Sequence, residues 1–426
     1  MKQDFLSGRR YSLAALLARA ATHTSTWPPA WRKGASRKSY DVIIVGGGGH
    51  GLATAYYLAR NHHITNVLVI EKSWIGGGNT GRNTTIVRSD YFLEASGRFK
   101  EFSLKLWENL SQELNYNLMV SQRGYVDLAH SDGDLEMYTA RANAMRLRGV
   151  DANVLNRDEL QKRVPQINLE NDMRYPIAGA LVQERGGTVR HDAVAWGYAR
   201  AASALGVDIL EQTEVTGFHR EGDKITTVIT PNGEFSAGSV AIATAGHSSE
   251  VARLAGVELP LESIAIQAFV TEPLKPILDT VVSFNVFPFC YLSQTDKGEI
   301  VIGGTTEAYN SYASRGSFSR IEEATARCIA MFPFLSKLRL MRQWGGIVDT
   351  PIDGNAIMGK THLDNLYLDV GWSYSGFKAT PAAGWTLADT IANDKPHHLL
   401  APFTLERFET GALLDDAGAG PHPHAH

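Results

Sequence analysis

The stretch YDVIIVGGGGHGLATAYYLA, residues 40–59, decides the fold. Tyr40-Asp41-Val42-Ile43-Ile44-Val45 is a short, β-branched apolar run, the composition of a parallel strand buried on both faces. Gly46-x-Gly48-x-x-Gly51 follows, Leu52, Ala53, Ala55, Tyr56 and Leu58 continue as a helix, and Val67-Leu68-Val69-Ile70 supplies a second strand. This predicts a strand–turn–helix–strand unit of the Rossmann type. Each glycine meets a steric need, with a tight turn at Gly46, close approach of backbone to a diphosphate at Gly48, and close helix–strand packing at Gly51. The helix start then offers free N–H groups and the positive end of its dipole to that diphosphate. Glu71 closes the second strand, twenty residues after Gly51, where its carboxylate can accept from ribose hydroxyls. The dinucleotide is FAD rather than NAD on this reading. The long glycine- and hydroxyl-rich loop from Lys72 to Thr85 can run beside a ribityl chain and a flavin edge, which an NAD domain does not need.

Outward from this unit, Phe99, Phe102, Leu106, Trp107, Leu110 and Leu114 recur at helical spacing, and residues 98–163 read as mostly helical, with helices at 134–148 and 157–163. Strand and helix alternate from about 178 to 258, strands dominate from 260 to 345 with one helix at 321–331, and Leu366–Val370 is a buried strand ahead of a helix from about Pro381 to Asn393. The fold class is α/β: a Rossmann-type FAD-binding domain interleaved with an α+β substrate domain built on a mostly antiparallel sheet. The expected boundaries are an N-terminal arm at 1–38, the FAD domain at 39–90, 175–258 and 345–414, the substrate domain at 91–174 and 259–344, and a mobile tail at 415–426. Trp27 and Trp31 in the arm suit a partner surface or packing on the chain's own domain, and His422, His424 and His426 read as a solvated tail rather than a metal site.

Composition narrows the function. Hydrophobic residues make up 44% and charged residues 20%, and a net charge of −4 gives no basic surface for nucleic acid. Cys290 and Cys328, with no C-x-x-C spacing, exclude a disulfide scaffold and a cysteine zinc site and suit a reducing cytoplasm. Residues 42–59 are apolar enough to span a membrane, but the glycine cluster and His50 interrupt them. Arg9–Arg10 ahead of Leu13–Ala18 makes a poor export signal, so a cytoplasmic location without a membrane partner is expected.

The chain resembles the glycine-oxidase and sarcosine-oxidase family of amine-oxidising flavoproteins, and within it the β-subunit branch of the heterotetrameric sarcosine oxidases. The likeness runs from Tyr40 to about Leu414. It rests on residues 42–59, GRNTTIVRS (81–89), SQRG (121–124), RHDAVAWGYAR (190–200), QWGGIVD (343–349), GFKATP (376–381) and APFTLERFETG (401–411). The resemblance implies non-covalent FAD, with Gly46, Gly48, Gly49, His50, Gly51 and Glu71 on its ADP half. It implies Asn79, Arg82, Asn83, Thr84 and Thr85 along the flavin, Val215 at the adenine, and Ser373, Gly376 and Lys378 by the isoalloxazine. It further implies FMN attached covalently at His191, with Arg190 and Arg342 near its phosphate, and an arm that joins contacts to other subunits of a hetero-oligomeric oxidase. Read alone, His191 is an ordinary histidine at a helix start and Arg190 a solvated charge.

Oxidising an amine on a flavin requires the protein to bind the substrate carboxylate, place the reacting carbon over the ring and exclude water. Arg88 and Lys378 match the family positions that meet the carboxylate. A guanidinium gives bidentate geometry and an ammonium a point charge. The expected reaction is oxidative demethylation of a secondary N-methyl amino acid, with reducing equivalents passing from FAD to FMN and then to dioxygen. A dehydrogenase for N-methylglutamate or a proline-like substrate, not using dioxygen, and a non-catalytic FAD-binding subunit are the alternatives. GWSYSGFK (371–378) stands where the family usually has GWGTGGFK. Ile264-Ala265-Ile266-Gln267 replaces a His-Pro-Leu-Gln run, and Phe287-Pro288-Phe289-Cys290-Tyr291 a His-Ala-Tyr type segment. These departures bear on substrate identity more than on FAD.

Overall fold

Ser39–Val45 forms the buried parallel strand, with Ile43 and Ile44 wholly inside, and Gly49–His62 is the helix that follows the glycine turn. The structure, a computed structural model, describes residues 12–22, 29–32, 34–284 and 289–414. Met1–Arg32 forms one unit, in which Leu13–Ala21 is helical, and the rest of the chain forms the other. The expected arm therefore ends sooner than residue 38. Gly34 N–H donates to the Ile209 carbonyl at 2.8 Å, and Ser36 N–H to Asp208 Oδ2 at 2.9 Å, so this segment belongs to the body. Trp27, the 285–288 stretch and the histidines of the tail lie outside the described residues.

Two large sheets share the body. The first runs Ile357–Lys360, Leu366–Val370, Gly233–Ile242, Ser39–Val45, Val67–Ile70, Asp208–Leu210, parallel except at the Ile357–Lys360 edge. Lys224–Thr230 and Gly217–Glu221 extend it antiparallel from Gly233–Ile242. The second runs Leu340–Pro351, Leu261–Pro273, Glu299–Asn310, Cys290–Gln294, Val281–Phe284, Tyr125–Ala129, Gly179–Gln183, Ala152–Asn156. It is antiparallel but for the Val281–Phe284 and Tyr125–Ala129 pair.

Three expectations need correction. Gly179–Gln183 and Leu340–Pro351 pair in the second sheet, so parts of the stretches assigned to the FAD domain lie on the other side of the boundary. Tyr125–Ala129 and Ala152–Asn156 are strands inside the region read as mostly helical. Their partners are distant in sequence and leave no local trace. Gly376–Asn393 is one helix, with Pro381 at its sixth residue rather than its first, so Lys378 sits in a helical turn.

Candidate active site

A cavity of about 690 Å³ runs from the glycine turn, past the 78–86 loop, to the second sheet, a volume in the range of ligand and cofactor sites. It gathers Gly46, Gly48, Gly49, His50, Glu71, Asn79, Arg82, Asn83, Thr84, Thr85, Arg88, Val215, Ser373, Gly376 and Lys378 on one lining. Gly51, Arg190, His191 and Arg342 are not on it.

Backbone builds the first end. Gly46 has φ +114°, and a Cβ there would meet the Ala243 carbonyl oxygen at 2.3 Å. A Cβ on Gly51 would sit 2.0 Å from the Gly46 carbonyl oxygen, so this glycine lets the helix start press against the turn. Gly48 caps that helix with no side-chain hydrogen bond of its own, and Gly49 N–H donates to Thr80 Oγ1 at 2.9 Å, which ties the glycine turn to the 78–86 loop. Glu71 is buried. Its Oε2 accepts from Gly47 N–H at 2.8 Å and its Oε1 from the Ser73 N–H and hydroxyl at 2.9 Å each. The carboxylate thus braces the glycine turn and still has lone pairs for a sugar hydroxyl.

His50 lies on the lining, but its ring is engaged with protein: Nδ1 meets Asp369 at 3.0 Å and Nε2 donates to the Gly376 carbonyl at 2.9 Å. Burial opposes charge on this ring, yet Asp369 overcomes it and the pKa is raised. The imidazole therefore ties the nucleotide-binding helix to the start of the Gly376–Asn393 helix.

The loop side chains also brace one another. Asn79 bonds the Ile347 backbone through both its amide groups, Arg82 donates to the Gly77 carbonyl, and Asn83 bridges the Thr80 carbonyl and Thr85 N–H. Thr85, a β-branched residue, is held at φ +69° and Ser373 at φ +49°, both in the left-handed region where such residues are strained. Ser373 Oγ is buried with no hydrogen-bond partner, an orphan polar atom on the cavity wall. That orphan, the side-chain-free glycine cradle and the acceptor carboxylate fit a dinucleotide lying along the cavity.

The far end is made of side chains from separate elements. Arg88 pairs with Asp90 at 2.5 Å and lies over the rings of Tyr125 (4.5 Å) and Tyr91 (4.8 Å). Burial works against its charge, but Asp90 and the two phenols raise its pKa well above the ordinary value. Lys378 is half-buried and donates to the Tyr374 carbonyl at 3.0 Å. Burial, reinforced by Arg88, pushes its ammonium down to about 7. Its own carbonyl accepts from Ser103 Oγ (2.7 Å) and Trp107 Nε1 (3.0 Å), which fixes this helical turn to the Glu94–Glu113 helix.

Sequence reasoning missed several residues here. Lys100 is buried, donates to Ser375 Oγ at 3.1 Å and lies 4.3 Å from the Trp372 ring centre. Tyr125, Asp127 and Arg141 line the cavity, as does Tyr291, whose hydroxyl accepts from Thr84 Oγ1 at 2.9 Å. Asp349, lifted to about 6 chiefly by burial, accepts from Gly371 N–H at 2.6 Å. Alternation in the Tyr125–Ala129 strand would have flagged Tyr125 and Asp127 as sharing a face, had the strand been recognised.

A family model described as FAD dependent oxidoreductase matches residues 41–390. The chain belongs to the FAD-dependent oxidoreductases. The dinucleotide of this oxidoreductase is accordingly FAD, and the cavity fits it. The chain is 52% identical to the sarcosine oxidase subunit beta of Rhizobium meliloti (strain 1021), over 98% of its own length and 100% of that protein. It is 51% identical to the sarcosine oxidase subunit beta of an Arthrobacter species, over 92% and 97%. Within the family it therefore falls among the sarcosine oxidase β subunits. Among solved structures, L-proline dehydrogenase from P. horikoshii superposes with a TM-score of 0.83 at 27% identity, covering 88% of this chain and all of that one. Glycine oxidase from Geobacillus kaustophilus, at 0.78 and 22%, shares the fold over 87% and 99%.

Proposed function

We propose that this FAD-dependent oxidoreductase oxidises a small secondary amino acid of the sarcosine-like, N-methyl type, as one subunit of a hetero-oligomer. The observation that carries the reading is the meeting of Arg88 and Lys378 on one cavity wall, beside the Ser373–Gly376 turn. FAD, when bound, supplies the acceptor for a hydride equivalent from the carbon next to nitrogen. Arg88, held rigid by Asp90 and two aromatic faces, offers directed donors to the substrate carboxylate, and Lys378 adds a point charge. An amine must be unprotonated to give up hydride. Lys378 Nζ, titrating near 7, can hold or release a proton at that end of the cavity at working pH. Phe289 and Tyr291 add aromatic surface to the cavity wall.

The curated relatives are named as subunits, which supports an assembly with other chains. The two thiols, Cys290 and Cys328, are free with sulfurs 3.6 Å apart, which supports a reducing, cytoplasmic setting. Among the described residues no helix is long and apolar enough to cross a membrane. We assign a second, covalent flavin, FMN, to His191. Its Nδ1 is buried without a hydrogen-bond partner, and burial lowers its pKa, so the ring is neutral with a nitrogen to spare. Arg190 at the same helix start is paired with Asp192 at 2.8 Å, and Arg342 is exposed on the Leu340–Pro351 strand.

Anaerobic addition of sarcosine to the purified complex should bleach the flavin absorbance. A flavin that stays oxidised with every N-methyl amino acid tried would refute the amine reading, and peroxide release in air separates an oxidase from a dehydrogenase. The FMN assignment predicts a fluorescent band on a denaturing gel that is lost in His191→Ala.

A further inference from the structure

The amine end of the cavity holds four cations, and one of them differs from the rest. Arg88 is neutralised by Asp90 at 2.5 Å. Lys378 donates to the Tyr374 carbonyl, and Lys100 to the Ser375 carbonyl and hydroxyl while resting on Trp372. Arg141, on the Asp132–Leu147 helix, has a buried Nε with no hydrogen-bond partner, and among the described residues no carboxylate lies within 4.0 Å of its guanidinium. The Tyr138 ring centre lies 5.8 Å from its guanidinium carbon.

The wall between Arg88 and Arg141 is continuous. Tyr125 and Asp127 alternate onto one face of their strand; Arg88 covers the first, and Arg141 acts through space on the second. Asp127 feels the charge of Arg141 but forms no ion pair with it within 4.0 Å. Its Oδ1 accepts from Ser283 Oγ at 2.6 Å, and burial raises its pKa toward the neutral acid. A guanidinium turned into a largely enclosed space without an anion is costly, and an incoming anion removes that cost.

We propose that Arg141 forms a subsite for a second anionic group on the substrate, so that the amino acid preferred is an N-alkyl amino acid with a carboxylate-bearing side chain. The proposal rests on the amine-oxidising reading above: the α-carboxylate meets Arg88 and Lys378, and the side-chain carboxylate reaches along the Tyr125–Asp127 face to Arg141. Sarcosine, with no side chain, leaves this subsite empty.

The test uses the full complex, unmodified and as Arg141→Gln and Arg141→Lys. Reductive rates are compared for sarcosine, N-methylaspartate and N-methylglutamate, and binding of glutarate and butyrate is read from the perturbed flavin absorbance without turnover. The expected result is a kcat/KM higher for one of the two dicarboxylates than for sarcosine. In Arg141→Gln that ratio falls by about 10- to 100-fold, the size of a lost charge-assisted hydrogen bond, and Arg141→Lys recovers part of it. Glutarate should bind more tightly than butyrate, and only while Arg141 is present. A wild-type preference for sarcosine over both dicarboxylates, or a glutarate affinity indifferent to Arg141, overturns the subsite. If glutarate binding depends on Arg141 but no amine reduces the flavin, the subsite stands and the amine reading falls.

Discussion

The two ends of the cavity are built by different means. At the nucleotide end the contact surface is main chain, shaped by what Gly46 and Gly51 lack and braced by the single carboxylate of Glu71. At the amine end it is side chain. Arg88, Lys100, Tyr125, Tyr291 and Lys378 arrive from separate elements, and each is oriented by a neighbour such as Asp90, Ser375 or Thr84. A backbone site tolerates almost no added atom. A side-chain site tolerates substitution but depends on the members that carry charge and on remote contacts that hold them in place. Common cofactor binding with varied substrate chemistry follows from that difference.

The sharpest way to break the comparison is to add atoms at the nucleotide end. Gly51→Val would put its branched side chain where a Cβ alone already lies 2.0 Å from the Gly46 carbonyl oxygen. We expect no FAD to be retained, measured as the flavin-to-protein absorbance ratio of purified protein. A yellow Gly51→Val protein with full occupancy would show that the turn is not set by this contact.

The same contrast explains what could be read ahead of the structure. The strand, glycine turn, helix and Glu71 lie within 32 residues, and each is specified by its neighbours in the chain, so a local pattern was enough. Lys378 shows the limit. Pro381 is well suited to open a helix, so the local pattern predicts a start there. The actual start is Gly376, in a turn pinned by Ser103 and Trp107, which bond the Lys378 carbonyl from a helix more than 260 residues earlier. Arg141 gave no signal for a related reason. A lysine or arginine on a surface-type helix looks the same in sequence whether it faces solvent or a cavity, and the Tyr125–Ala129 strand beside it takes its partners from Gly179–Gln183 and Val281–Phe284.

Remote support at the amine end can be tested at Arg407. Its guanidinium grips both oxygens of Asp353, at 2.7 and 2.9 Å, and donates to the Asn355 carbonyl at 2.7 Å, with both side chains of the ion pair 2% exposed or less. Asp353 and Asn355 line the cavity, so this clasp holds part of its wall to the C-terminal segment. Arg407→Ala leaves Asp353 buried and unpaired and should destabilise the protein by about 3–5 kcal/mol in denaturant melts. Arg253→Ala, which breaks an exposed pair with Glu258, should change stability by less than about 0.5 kcal/mol. Equal effects would mean that the clasp is no more than a surface contact.

Charge at the amine end is the next target. Lys378→Met keeps a chain of similar length but removes the ammonium, while the glycine turn and Glu71 that build the nucleotide end are unchanged. FAD content should stay at the wild-type level while kcat/KM for the amine falls by about 100- to 1000-fold, the loss of a charged hydrogen bond to a substrate carboxylate in a closed site. Loss of flavin together with activity would show that the two ends are not separable.

The smallest expected effect is thermodynamic, and its sign follows from burial. Lys378 titrates near 7 in the folded chain against an ordinary 10.5, so between those values the unfolded chain binds more protons than the folded one. The lysine therefore opposes folding. Its cost is full below pH 7, shrinks as pH rises and is gone above the unfolded value. Lys378→Met removes that dependence, and its stability relative to wild type should be greater at pH 6.5 than at pH 8.5 by about 2 kcal/mol. Denaturant melts of both proteins at the two pH values measure the difference directly. A gap that is absent or reversed would mean that the ammonium is well solvated or newly paired. The amine end would then hold a charged lysine at neutral pH, and Lys378 Nζ could not exchange a proton with the substrate in the working range.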